Sequence, residues 1–190
     1  MNTPAHGVIN LIILGRKERP EITVPILVGS VLPDAPMVCF YLYVKLLLGM
    51  PEALIWSQAY YEASWQAFFD LFNSIPLTVF CMLLAHRLGA VRLGSLSASM
   101  ALHAFGDLLL HNEDAHRHFF PFLDWRFRSP ISYWDPRHYG NVFAPLEAVA
   151  VVVGLIVLTR RYTSTVARAL TILVIVVYAL YWIYALWVWA

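Results

Sequence analysis

The chain has few charged residues: aspartate, glutamate, lysine and arginine together make up 13% of its 190 residues. A soluble domain carries about 25% charged residues, so this composition argues against a molecule surrounded by water on every side. The formal net charge is only +1, which leaves no basic surface to neutralise the phosphates of a nucleic acid. We therefore expect no nucleic-acid partner.

Cysteine is also scarce, with only Cys39 and Cys81, and each lies in an apolar run. We expect both to be small buried apolar residues, and a disulfide or a thiolate ligand is the alternative. A cleavable signal peptide is not visible either. The first apolar run, 5–14, is followed by the basic stretch 16–19, whereas a signal peptide has its basic residues in front.

Apolar residues dominate the composition, with 60% hydrophobic residues, 15% aromatic residues and a mean hydropathy of +0.64. These values predict an all-α integral membrane protein with aromatic side chains at the membrane interface. A transmembrane helix needs about 20 mostly apolar residues. Five segments satisfy this length: 22–48, 67–87, 93–111, 143–160 and 166–189.

Two shorter features modify this pattern. The run 5–14 is too short to cross a bilayer, so we predict a re-entrant or interfacial helix there, with Thr3-Pro4 as its cap and first turn. The segment 22–48 is interrupted by several prolines, and Asp34 lies between the last two of them. Backbone groups freed by such a break are tolerated only against protein or water, so we expect Asp34 beside a polar cavity.

The positions of the basic residues predict the orientation. Arginine and lysine concentrate in alternate connections, near 16–19, 87–92 and 160–168, and the positive-inside rule places these on the cytoplasmic side. The loops 49–66 and 112–142 then face the periplasm or a lumen. This arrangement predicts a protein of a bacterial inner membrane or of an internal, thylakoid-type membrane. Because no internal repeat or linker interrupts the chain, we expect one domain, 1–190.

A polar stripe runs through the apolar segment SASMALHAFGDLLLH. Ser99, His103, Asp107 and His111 recur at every fourth position, which places them on one face of a helix. An ionisable side chain in a bilayer costs about 2.5 kcal/mol or more unless it is paired or wet. The stripe therefore indicates a functional use, with a purely structural bond between His103 and Asp107 as the alternative. We expect His111 in water at the membrane edge.

Polar residues from other segments can converge on this stripe in the outward half of the bundle. They are His6, Asp34 and Asp70. Neutral imidazoles combined with carboxylates are suitable ligands for a divalent metal. Three alternatives stay open: an ordinary interfacial role for His6, a helix cap at Asp34, and a dipole-stabilised charge at Asp70.

The outward loop HNEDAHRHFFPFLDWRFRSPISYWDPRHYG is rich in histidine, arginine and aromatic residues. Its imidazoles are candidates for extending a metal site, and its guanidinium groups are candidates for binding a phosphate or a lipid headgroup. The third alternative is a loop that covers the site and is held by internal cation–π pairs. The residues concerned are His116, His118 and His138 for the metal, and Arg117, Arg126 and Arg128 for the substrate.

The order of these motifs resembles the predicted membrane-bound metal-dependent hydrolases, some of which are described as LexA-regulated inner-membrane proteins. The matching features are a histidine near the start, LPD at 32–34, a helix-start motif near 70–74, His-x3-Asp at 103–107, and FLDWRFRSPIS at 122–132. The resemblance covers 1–145, a hydrolase-like core. The remainder, 146–190, is a generic C-terminal transmembrane hairpin.

The resemblance implies a helical membrane hydrolase in the motif style of the zinc-dependent phospholipases C. By position, its metal ligands correspond to His6, Asp34, His103 and Asp107, with zinc as the expected metal. The chain also departs from the family pattern. Two family histidines are replaced by Phe68 and Asn73, and the second acid after LPD is replaced by Pro36.

Three functions are consistent with these features. The first is a metal-dependent hydrolase acting on a phosphoester or another lipid-derived substrate at the outward face, in contact with membrane lipids. In this function Asp70 would act as the catalytic residue that orients or deprotonates water. The second is a catalytically degenerate accessory or assembly subunit of a larger membrane protein complex, photosynthetic or respiratory. The third is a transporter or channel, although paired half-segments are not evident.

Overall fold

The computed structural model describes the backbone of residues 1–189, and it describes the side chains except those at 166, 167 and 184–189. Within that part of the chain every regular element is helical, which confirms the all-α class. The α-helices are α1 (Thr3–Leu14), α2 (Thr23–Val31), α3 (Ala35–Leu42), α4 (Glu52–Ser57), α5 (Ala63–Phe72), α6 (Ile75–Arg87), α7 (Val91–Leu110), α8 (Gly140–Arg161) and α9 (Thr165–Trp189).

Among the residues that the structure describes, three helices are long and apolar enough to cross a membrane: Ala63–Arg87 (α5 with α6), Val91–Leu110 and Gly140–Arg161. A fourth crossing exists only if Pro20–Val31 and Ala35–Leu47 count as one span, and these two are bent by 51° at their junction. The structure is therefore compatible with membrane insertion, but the five predicted crossings are not confirmed.

The first and the last of the five predicted spans, 22–48 and 166–189, each differ from a single straight crossing. Segment 22–48 is broken at Leu32-Pro33-Asp34, as the prolines indicated, because proline cannot donate the helical hydrogen bond. In segment 166–189, the part that passes as a shorter apolar helix is Arg168–Ile183. Side chains 184–189 lie outside the described residues. The run 5–14 does form a short helix, α1.

Helix α7 lies at the centre of the fold. It packs against α6, α2 and α1, and α1 packs in turn against α2 and α8. The α1–α8 contact contains buried apolar side chains, among them Ala5, Val8, Val151 and Leu155. The polar face of α7 therefore lies between helices that come from both the N-terminal and the middle part of the chain.

Two local predictions are wrong. Cys39 and Cys81 are free and exposed, not buried. In a membrane helix the lipid-facing side is as apolar as the packed side, so an apolar run alone does not identify the buried face. Thr3 does not cap α1, because its hydroxyl donates a hydrogen bond to the carboxylate of Asp34.

Gly29 permits the close approach of α2 to α7. A Cβ atom at this position would lie 2.3 Å from the carbonyl oxygen of Leu96 and 2.9 Å from Cβ of Ser99. Because the first neighbour is backbone, the helices themselves must move apart. We expect Gly29→Ala to destabilise the protein by about 2 kcal/mol, measured by thermal unfolding in detergent. Gly94→Ala is the matched control, since its nearest neighbour is Cβ of Ala85 at 3.7 Å. An equal effect of both changes would contradict this packing.

Candidate metal centre

The polar face of α7 is buried. His103 is 0% exposed and Asp107 is 2% exposed, and His103 Nε2 lies 3.0 Å from Asp107 Oδ2. Ser99, one turn earlier, is structural: its hydroxyl donates to the carbonyl oxygen of Ile26 and accepts from the side-chain amide of Asn10. Along the stripe, His103 is therefore the first side chain that is a candidate metal ligand.

A backbone carbonyl determines which nitrogen of His103 carries the proton. His103 Nδ1 lies 2.8 Å from the carbonyl oxygen of Ser30, and a carbonyl can only accept, so Nδ1 is the protonated nitrogen. Nε2 of a neutral ring then presents its lone pair. This atom is buried and has no hydrogen-bond partner, although two carboxylates are close. An imidazole oriented in this way, with one nitrogen held by a carbonyl, is typical of metal ligands.

His6 reaches the same place from α1. Its Nε2 forms a hydrogen bond with Asp107 Oδ1 at 2.9 Å, and its ring stacks on the ring of His103 with the centroids 3.6 Å apart. The Nδ1 atom of His6 is also buried without a partner. Gly106 makes room for this ring, since a Cβ there would lie 3.2 Å from Cε1 of His6.

His6, His103 and Asp107 form a buried group that could hold a metal ion, because one ligand atom from each lies within 4.8 Å of the others. A buried carboxylate needs a compensating positive charge. In the structure the amino group of Met1 contributes one, at 2.8 Å from Asp107 Oδ1. Three of the four predicted metal ligands thus come together, and a possible metal-binding group is present; the metal itself is not identified by this geometry.

Asp34, the fourth predicted ligand, lies at the edge of this group. Its Oδ1 is 3.5 Å from His103 Nε2, and its side chain is 21% exposed. Oδ2 accepts the hydrogen bond from Thr3. Its side chain makes no capping hydrogen bond at the start of α3, so the alternative that Asp34 is merely a helix cap is excluded. Asp34 therefore lies beside polar groups, and the polar cavity expected from the broken segment stays a prediction.

His111 is placed differently from the prediction. It is buried, with 7% exposure, instead of lying in water at the membrane edge. Its Nε2 is 3.2 Å from Asp107 Oδ1, and its Nδ1 is 3.0 Å from Asp114 Oδ2. The loop that follows α7 folds back over this end of the helix, which agrees with the alternative of a covering loop given for 112–142.

The carboxylate of Asp70 is paired with residues of the loop between α7 and α8. It is fully buried, and its carboxylate accepts hydrogen bonds from the backbone N–H and the Nε–H of Arg117, at 2.9 and 2.5 Å. His116 Nδ1 lies 3.5 Å away. These contacts join Asp70 to the loop, and they include none of His6, His103 or Asp107. Its direct catalytic role therefore stays a prediction.

The three arginines predicted to bind substrate differ in their surroundings. Arg117 is paired with Asp70 and with Asp124, and its guanidinium lies 4.8 Å from the ring centroid of Phe120. Arg126 donates to the side-chain oxygen of Gln66. Arg128 is exposed, and in the part of the chain that the structure describes it has no ion pair. Arg128 is thus the best placed of the three to meet an anion.

His118 fastens the loop to the junction of α5 and α6. It is 1% exposed, its Nδ1–H donates to the carbonyl oxygen of Asn73, and its own carbonyl accepts from the N–H of Ile75. Ser74 adds a hydrogen bond to the carbonyl oxygen of Phe120. Asn73, which replaces a family histidine, and Ser74, which belongs to the helix-start motif near 70–74, therefore hold the loop in place.

The contacts of Ser30 and His138 were not predicted from the sequence. Ser30 orients His103 through its backbone carbonyl, which any residue type would supply, so the sequence contains no signal for it. His138 was a candidate for extending the metal site, but its ring pairs with Asp135 at 3.1 Å, within the same loop.

The fold and the site define an all-helical, membrane-compatible protein with a buried imidazole–carboxylate group. Comparison with known protein families, with curated proteins and with solved structures gives no match. The arguments for a function therefore rest on this chain's own residues.

The burial of His118 predicts a pH dependence. Burial lowers the pKa of His118 from 6.5 to about 4. Between these two pH values the imidazole is protonated in the unfolded chain and neutral in the folded protein. The contribution to stability is complete above pH 6.5 and is lost as the pH falls toward 4. We expect a loss of about 2 kcal/mol between pH 7.5 and pH 5, since each pH unit inside the window contributes about 1.4 kcal/mol.

Thermal unfolding of the wild type and of His118→Asn at both pH values measures this contribution. The variant lacks the titrating ring, so its stability should change less over the same interval. His86→Asn, an exposed position, is the control and should behave as the wild type does. A pH response of His118→Asn identical to that of the wild type would refute the assignment.

Proposed function

We propose that this protein is a membrane-embedded metal-dependent hydrolase that acts on a phosphoester or another lipid-derived substrate at the outward face of the membrane. The observation that carries the proposal is the buried Nε2 of His103, which makes no well-formed hydrogen bond although it lies 3.0 Å from Asp107 Oδ2. Its tautomer is set by the Ser30 carbonyl. Unsatisfied buried nitrogens are rare in native proteins and call for an ion or another partner.

The donor set suits a borderline divalent cation such as zinc, because it combines neutral imidazoles with carboxylate oxygens. The ligands would come from His6, His103 and Asp107, and Asp34 would complete the set from the edge of the group. When bound, such a metal supplies Lewis acidity at the scissile group. The surrounding side chains exclude bulk water, since all three central residues are buried.

The loop over the site would have two roles. Asp70 would act as a positioning residue, because it holds the backbone and the guanidinium of Arg117 and lies next to His116. Arg128, which is exposed, would meet the phosphate of a headgroup, as guanidinium groups do by paired hydrogen bonds. The positive-inside pattern supports an outward site, in a bacterial inner membrane or a thylakoid-type membrane.

The resemblance to the membrane-bound metal-dependent hydrolases supports the same proposal, since its ligand-type positions coincide with the buried group. The replacement of two family histidines by Phe68 and Asn73 is the feature that favours the alternative, an accessory subunit of a larger membrane complex. His118 lies next to Asn73, and His116 lies next to Asp70. The loop therefore places two imidazoles beside these residues.

Hydrolysis of a fluorogenic phospholipid by the detergent-purified protein tests the proposal. The protein is first treated with a chelator and then supplied with zinc or manganese. We expect activity only with metal, and a loss of at least about 100-fold in His103→Ala. His86→Ala, an exposed histidine on α6, should leave activity unchanged. Metal-loaded protein that is folded but inactive toward phosphoesters and lipid esters would contradict the proposal, and partner proteins that copurify would then favour the accessory subunit.

A further inference from the structure

The two carboxylate oxygens of Asp107 face different imidazoles. Oδ2 lies 3.0 Å from Nε2 of His103. Oδ1 lies 2.9 Å from Nε2 of His6 and 3.2 Å from Nε2 of His111. A carboxylate approached in this way from both oxygens has the arrangement of a bridging ligand.

The stacking of His6 on His103 bears on how many ions this arrangement holds. The ring centroids are 3.6 Å apart and the planes differ by 13°, so the two rings are nearly parallel. Two imidazoles on one tetrahedral ion, with bonds of about 2.0–2.1 Å, diverge from that ion and cannot stay stacked face to face. A single ion bound by both rings would therefore pull the stack apart, whereas one ion for each ring would leave it in place.

Each ring has neighbouring side chains that could join it around a separate ion. His103 has Asp34 Oδ1 at 3.5 Å together with Asp107 Oδ2. His6 has Asp107 Oδ1 in common with His111. Separations of about 3–3.5 Å are those between neighbouring ligand atoms around an ion with bonds near 2.0–2.1 Å.

His111 also has a carboxylate on the far side of its ring. Its Nδ1 is 3.0 Å from a carboxylate oxygen of Asp114 while its Nε2 faces Asp107. Asp114 is fixed in turn by the indole N–H of Trp134 at 2.9 Å. A carboxylate behind a ligating histidine orients the ring and raises its basicity.

We propose that this centre binds two divalent cations bridged by Asp107, one held by Asp34, His103 and Oδ2, the other by His6, His111 and Oδ1. The inference rests on the proposed function and narrows it. Paired metals about 3.5–4 Å apart stabilise both the attacking and the leaving oxygen in phosphoryl transfer. Of the substrates in the proposed function, such a pair of ions favours the phosphoester.

The amino group of Met1 is the competing occupant of the second position. It lies 2.8 Å from Asp107 Oδ1 and 2.9 Å from His111 Nε2, between the same two atoms. Because a divalent ion carries twice the charge of the amino group, we expect the ion to displace the amino group. If the amino group keeps this position, only one ion binds.

Zinc stoichiometry of the full-length protein tests the two-ion centre. The detergent-purified, chelator-treated protein is loaded with zinc, desalted and measured by elemental analysis. We expect about two zinc ions per chain in the wild type, about one in His111→Ala and about two in His138→Ala, whose ring pairs with Asp135. X-ray absorption of the wild type should show a zinc–zinc distance of about 3.5–4 Å.

A second variant keeps the test informative if His111→Ala does not fold. Asp114→Asn retains the ligand but weakens its orientation, so the second zinc ion should bind about 10–100-fold more weakly, with the first unaffected. One zinc ion in both the wild type and His111→Ala, with no zinc–zinc distance, would overturn the two-ion centre and leave the proposed function standing. No zinc in the folded wild type would overturn both.

Discussion

Asp107→Ala is expected to abolish metal binding, reducing the bound metal from at least one ion per chain to less than about a tenth. The reason is that Asp107 is the only carboxylate of the buried His6–His103–Asp107 group. It also contacts His111. Without it, Asp34 at the edge of the group would be the one carboxylate left to compensate a divalent charge, so metal affinity should fall by more than about 100-fold.

Elemental analysis of the purified variant, next to the wild type, measures this effect. Asp124→Ala is the matched control, because it removes the same charge from a side chain that is 87% exposed. Circular dichroism and size-exclusion chromatography in detergent establish that both variants fold. Full metal occupancy in folded Asp107→Ala would show that the metal binds elsewhere.

Asp70→Ala is expected to lower stability by about 3–5 kcal/mol, because it breaks a buried ion pair and leaves its partner unmatched. Asp70 is 0% exposed, and it receives two hydrogen bonds from Arg117. For a chain of this size, such a loss corresponds to a fall of roughly 6–20 °C in the melting temperature. The loop between α7 and α8 should also become sensitive to protease.

The chain supplies its own control for this prediction. Asp124 pairs with the same guanidinium at 2.8 Å but is exposed, and an exposed pair contributes at most about 1 kcal/mol. The double variant Asp70→Ala/Arg117→Ala should recover part of the stability, since no buried charge is then left without a partner. Equal melting temperatures of Asp70→Ala and Asp124→Ala would contradict the role of the buried pair.

These two predictions concern different parts of one polar region. Asp107 lies at its centre, among imidazoles from α1 and α7, and Asp70 holds the loop that covers it. The ring centroids of His111 and His116 are 6.1 Å apart, so the two parts are neighbours. A change at Asp70 is expected to act on the centre only through the position of the loop, which distinguishes its effect from the loss of a ligand.

The part of the site predicted best from the sequence is the pair on α7. His103 and Asp107 are four residues apart, and the period of the helix alone brings such residues onto one face. The break at Leu32-Pro33-Asp34 was predictable for the same kind of reason, since proline interrupts helical hydrogen bonding locally. The convergence of His6 with this pair, inferred from the topology, is confirmed by the structure.

Other features depended on contacts that no local pattern encodes. The buried position of His111 arises because the loop folds back over the end of α7. The pairing of Asp70 joins residues 47 positions apart. The exposure of Cys39 and Cys81 was missed because apolar residues occur on both the packed and the lipid-compatible faces of such helices.

The amino-acid sequence by itself determined the helical class, the membrane-compatible composition, the broken segment and the chemistry available on the polar stripe. Each of these follows from composition or from periodicity over a few residues. Only the tertiary structure decided which nitrogen of His103 is free, which oxygen of Asp107 each imidazole meets, and which carboxylate the loop occupies. Those outcomes depend on how helices distant in the chain pack together, and packing positions side chains to within an ångström where sequence spacing does not.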